Sequence, residues 1–137
     1  MFINSHIASG YLAGTFSKQE SKWVWLLIFS TILPDIDGIW SNTVAGHYSI
    51  LHTPIFWMVI CSISVIIGKI QKRNDIKKAS LIIFAGVMLH LITDWLTART
   101  VGVQWFYPFS ETNYWIYPIE PEKGDIPIWG MVIPPYI

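Results

Sequence analysis

The stretch ASLIIFAGVMLHLITDWLT, residues 79–97, decides how the rest of the chain reads. It opens without any charge, which predicts an apolar helix from near Ala79 to about Thr97. Near its end come His90 and Asp94, four residues apart and so on one side of a helix. Ionisable side chains beside an apolar span are costly and mark function by default. The whole chain fits that setting. Its 137 residues suffice for one domain, and 53% of them are apolar while 13% are charged, against about a quarter in soluble domains. Eight tryptophans add to the apolar content, and the composition points to a membrane protein or an unusually apolar buried bundle. A net charge of zero gives no sign of a nucleic-acid partner, and none is expected.

Working outward, a basic linker from Lys69 to Lys78 precedes this helix, and before it an apolar run from Ile50 to Gly68 predicts a third helix. His52, Thr53 and Pro54 interrupt its start, where a proline is tolerated in the first turn. A loop from Asp35 to Gly46 separates it from a second helix, Trp23 to Leu33, which Pro34 should end. A first helix over residues 2–16 carries Gly10 and Gly14, a spacing that lets one apolar helix approach another closely. Beyond Arg99, six prolines from Pro108 to Pro135 alternate with aromatic residues and predict an irregular or short-stranded tail. The expected architecture is all-α: a membrane-embedded antiparallel four-helix bundle with an irregular Pro/aromatic-rich C-terminal tail. Residues 1–110 would form the helical domain that carries the metal site, and residues 111–137 the tail. The tail would either form an aromatic belt at the outer interface or fold over the site as a lid.

Crossing a bilayer needs about 20 apolar residues, more than the second and fourth helices supply as delimited here. Flanking lysines can snorkel to extend them. Seven of the nine basic residues fall in the Lys18–Lys22 turn and the Lys69–Lys78 linker, which places both on the cytoplasmic side of a multi-pass inner-membrane protein. The opposite end, with both termini, would face outward. The N-terminus has no positively charged n-region, which argues against a removable signal peptide, and the single Cys61 lies in an apolar run and excludes an intrachain disulfide.

That outer end collects His6, Asp35, Asp37, His47, His52, His90 and Asp94, all by sequence order alone. If the chain after Pro34 is extended, Asp35 and Asp37 face one way. Imidazole and carboxylate donors together suit a divalent metal, zinc above all, with manganese or iron as alternatives. Seven such groups exceed the needs of one ion, so two ions are plausible. Asp37 and Asp94 are the candidate catalytic groups, either as general base or by orienting a histidine. The plainer alternatives are an Asx turn at Pro34-Asp35-Ile36-Asp37 and a buried His90–Asp94 ion pair.

Five pieces in order resemble a known family: His6 followed by Gly10; Leu33-Pro34-Asp35-Ile36-Asp37; His47-x4-His52-Thr53; His90-x3-Asp94; and Gly102 ahead of Tyr107-Pro108-Phe109. Together they resemble the YdjM-type membrane-bound metal-dependent hydrolases. The resemblance implies a small integral membrane protein whose metal ligands fall on the seven residues just named. The family is distantly similar to zinc-dependent phospholipase C, which implies phosphodiesters or phospholipids as substrates. Where the family commonly has Arg after the first His of His-x4-His, this chain has Tyr48. If that Arg binds an anionic substrate, this chain must use another group, Arg99 for example, or act on a different substrate.

The function expected first is hydrolysis of a phosphoester or other ester of a lipid or small molecule at the membrane surface, by metal-activated water. A second expectation is a non-catalytic membrane component of a larger assembly, with the metal stapling short helices. Transport of ions ranks third, because Ile60–Gly68 and Ala79–Val87 offer only small polar side chains for a pathway.

Overall fold

The computed structural model describes residues 3–41, 50–97 and 101–116. Within these, α1 spans Ile3–Phe16, α2 Ser21–Ser30, α3 Pro54–Ile70 and α4 Asn74–Thr97, with 3-10 segments at Leu33–Ile39 and Ile50–His52. No strand occurs among the described residues apart from an isolated antiparallel bridge between Val103 and Tyr114. The helices form a chain of contacts: α1 packs on α2, α2 on α4, and α3 chiefly on α4.

Glycines set these close approaches. A Cβ on Gly10 would stand 3.0 Å from the Ile28 Cα and 2.9 Å from Thr31 Oγ1, and one on Gly14 would stand 2.8 Å from Val24 Cγ1. The small-residue spacing in α1 is therefore where α2 crosses it, as expected. Gly86 does the same for α4 against Ser30 and the Leu27 carbonyl.

Three local features depart from the expectations. First, α4 begins at Asn74 and not near Ala79. Asn74 and Asp75 favour a helix start, and Asp75 also holds Arg73 at 2.6 Å, so most of the basic linker is helical. At 24 residues, α4 is the one described helix long and apolar enough to cross a membrane. Second, α2 stops at Ser30, and the chain after Pro34 is wound, not extended. Pro34 at the start of this 3-10 turn supplies a compatible φ, and Asp35 and Asp37 meet opposite nitrogens of the His52 ring. Third, Thr53 is extended (φ −112°, ψ 129°), as the residue before a proline prefers, so His52 precedes α3 instead of belonging to it.

The distribution of polarity is inverted relative to a soluble domain. Glycine and proline aside, ten buried residues of the described set are polar or charged and six are apolar. The outer surface meanwhile carries Phe16 (81% exposed), Trp25, Phe29, Met58, Val59, Ile63, Ile66, Ile70 and Leu81. Apolar exteriors around polar interiors suit lipid surroundings, where no hydrophobic drive gathers aliphatic side chains inward.

At the other end of α4, Val103 is fully buried with Trp57, Val87 and Leu91. Its two backbone bonds with Tyr114 (2.9 and 3.0 Å), and the Ile116 N–H donated to the Trp95 carbonyl (3.2 Å), tie residues 101–116 to this end. The aromatic tail from residue 117 onward lies outside the described residues.

Candidate metal centre

Six of the seven histidines and aspartates singled out in the sequence meet in one buried cluster, and each is at most 6% exposed. The seventh, His47, lies outside the described residues, as do Tyr48 and Arg99. Four elements supply the cluster: α1 brings His6, the Pro34 turn Asp35 and Asp37, the turn before α3 His52, and α4 His90 and Asp94.

Backbone and hydroxyl partners fix the imidazoles from behind. His90 Nδ1 lies 2.8 Å from the Thr31 carbonyl, which only accepts, so this nitrogen carries the proton and Nε2 presents a bare lone pair to the cluster. Thr93 Oγ1 lies 2.8 Å from the His90 carbonyl and 3.0 Å from that of Leu89 and gives its proton to them. It is then an acceptor for His6 Nδ1 at 3.2 Å, which leaves His6 Nε2 as the inward lone pair. His52 turns Nδ1 toward Asp37 Oδ2 at 3.6 Å and Nε2 inward. An imidazole fixed on its outer nitrogen is the arrangement found around metal ligands.

The inward atoms are closely spaced. His90 Nε2 stands 3.3 Å from His52 Nε2, 3.3 Å from Asp94 Oδ2 and 3.6 Å from Asp35 Oδ1. His52 Nε2 stands 3.4 Å from Asp35 Oδ1 and 3.9 Å from Asp94 Oδ2. Ligand atoms about 2.0–2.2 Å from a tetrahedral ion stand about 3.3–3.6 Å from one another. On the far side, His6 Nε2 lies 3.2 Å from Asp94 Oδ1 and 4.0 Å from Asp35 Oδ2. His6, Asp35, His90 and Asp94 each bring one ligand atom within 4.8 Å of the others. This buried group could hold a metal ion, and the donors fit one: lone pairs and carboxylate oxygens gathered in an interior demand a cation or protons.

Without a cation, protons serve. Burial lowers the pKa of His52, but hydrogen bonding to Asp35 and Asp37 and the charge of Asp94 outweigh it, and the pKa is raised to about 9.

The sequence identified the inward-facing residues and missed the residues that orient them. Thr31 and Thr93 are ordinary helix-end and helix residues by pattern. A threonine one position before a candidate Asp, or at the end of a helix that must meet a histidine, is the only signal that points to them.

The family described as YdjM inner membrane protein matches residues 1–132. The inner membrane protein YbcI of Escherichia coli (strain K12) is 27% identical over 93 residues, covering 64% of this chain and 54% of YbcI. The chain thus spans about half the length of this curated relative. No solved structure matches it. With nearly its whole length matched, the chain belongs to the YdjM inner membrane protein family.

Proposed function

We propose that this protein is a membrane-bound metal-dependent hydrolase acting on a phosphoester or another ester at the membrane surface. The observation that carries the proposal is the set of inward lone pairs of His6, His52 and His90 beside two carboxylates. A divalent cation held there, zinc by the choice of donors and manganese or iron as alternatives, would polarise the substrate and bring the pKa of bound water to about 7. The residues have separable tasks. Asp35 and Asp94 lie between the histidines as charge-neutralising ligands, while Asp37 stands behind His52 and orients its ring or accepts a proton from water.

In the membrane, α4 would span the bilayer and α1, α2 and α3 would line it as shorter members of a multi-pass four-helix bundle. The inverted polarity of the surface supports this embedding. Lys22 and Lys78 both lie over the Trp23 ring, 5.2 and 4.8 Å from its centroid, so the two basic connections meet at one end. By the distribution of positive charge that end is cytoplasmic, and the metal end faces the outer leaflet.

Metal analysis of protein purified without chelator, paired with a phosphodiesterase and lipase screen of wild type and His90→Ala, tests the proposal. Stoichiometric metal with an activity lost in the variant is expected. Absence of metal from the wild type would refute it. The second reading, a structural metal in a larger assembly, gains support if His90→Ala lowers stability and no hydrolysis is found.

A further inference from the structure

The geometry points to two cations, not one, with the Asp35 and Asp94 carboxylates bridging them. This rests on the metal-centre proposal above and adds how the ligands are divided.

The first observation is the relation of His6 to His90. Their rings are stacked with centroids 3.9 Å apart and planes inclined by 23°. A nitrogen lone pair lies in the plane of its ring. Two lone pairs in nearly parallel planes cannot both aim at one ion about 2 Å from each nitrogen. The four-residue grouping of His6, Asp35, His90 and Asp94 is close enough in distance for one ion, but its two imidazoles point side by side and do not converge.

The second observation is how the carboxylates are turned. Asp94 directs Oδ1 to His6 (3.2 Å) and Oδ2 to His90 (3.3 Å) and His52 (3.9 Å). Asp35 repeats the division, with Oδ2 toward His6 (4.0 Å) and Oδ1 toward His52 (3.4 Å) and His90 (3.6 Å). Each carboxylate therefore gives one oxygen to each pole. One pole has His52, His90, Asp35 Oδ1 and Asp94 Oδ2, a complete set of four. The other has His6, Asp35 Oδ2 and Asp94 Oδ1, a set of three that leaves room for water or substrate.

The third is a matter of scale. Paired ions in two-metal sites stand about 3.5–4 Å apart, the separation of the two stacked rings. His6 Nε2 is fully buried and aimed into the cluster, with Asp94 Oδ1 at 3.2 Å and Asp35 Oδ2 at 4.0 Å, the three donors of the second pole.

The full chain, stripped with chelator in detergent and titrated with Mn(II), tests the division. Bound metal is measured by mass spectrometry and spin coupling by electron paramagnetic resonance. Wild type is expected to bind two Mn(II) per chain with an exchange-coupled spectrum. His6→Ala should bind one, with an uncoupled six-line spectrum. His6→Gln is a second variant in case the alanine protein misfolds, and it should behave the same way. One ion per wild-type chain, or two without coupling, would overturn the bridged pair and leave a metal centre standing. No bound ion would overturn both.

Discussion

The carbonyl of Thr31 lies 2.8 Å from Nδ1 of His90, so the backbone at the end of α2 fixes the tautomer of an imidazole on α4. The Thr31 hydroxyl has a different task, donating to the carbonyls of His6 (2.9 Å) and Ile28 (2.7 Å). Both carbonyls keep another donor, Ser9 Oγ for His6 (2.8 Å) and the Thr31 N–H for Ile28 (3.2 Å), so Thr31→Ala should lower stability by only about 0.5–1.5 kcal/mol through the lost bridge between α1 and α2, and leave metal affinity within a few-fold of wild type. Thermal unfolding beside a metal titration separates the two effects. A large loss of affinity at unchanged stability would contradict the division of labour.

Thr93 acts on His6 through its hydroxyl. Thr93→Val removes the acceptor for Nδ1, and loss of such an orienting partner typically weakens metal binding about 10–100-fold. Thr93→Ser should restore it. Equal affinity for the valine and wild-type proteins would show that the hydroxyl does not set the His6 tautomer.

Gly10 is the crossing point of α1 and α2, where an added methyl group meets Ile28 and Thr31. Gly10→Ala should cost about 1–3 kcal/mol by overpacking. It should also displace His6 from the cluster while sparing His52 and His90. Chemical denaturation and a count of bound ions would show the loss, and a fully stable variant with unchanged metal content would argue against so close a crossing.

His52 gives the metal-free protein a pH dependence of defined sign. Its pKa rises from 6.5 to about 9 in the folded state. The stabilisation from its charged form is therefore complete below pH 6.5 and disappears as pH rises through about 9. Metal needs the neutral ring, so its affinity should rise over the same interval. Thermal scans of chelator-treated and metal-loaded protein between these limits should diverge with increasing pH. Parallel curves would rule out His52 as the linked group.

Much of the cluster was legible because ionisable residues are scarce here and helix order fixes which ends meet. Apolar segments between polar turns gave four helices, and alternating direction brought His6, Asp35, Asp37, His52, His90 and Asp94 to one end. The conformation after Pro34 is open in the sequence because Pro suits an extended chain and a first helical turn equally well, and packing selects the latter. The start of α4 is masked in the sequence because its lysines look like a linker, although Asn74 and Asp75 carry the signal for a helix start. The orienting roles of Thr31 and Thr93 depend on contacts across 59 and 87 residues of sequence, and no local pattern encodes them.

The arrangement in which α3 leans chiefly on α4 has a mechanical consequence. His6 and Asp35 belong to the α1–α2 side of the molecule, His52 arrives with α3, and His90 and Asp94 stand on the helix between. Cations in the cluster would thus rivet two leaves to a common spine. Emptied, the α3 leaf is held among the described residues chiefly by its apolar seam with α4 and by Trp57 against Val103, and the joint that loses its clamp is the turn at Ile50–His52.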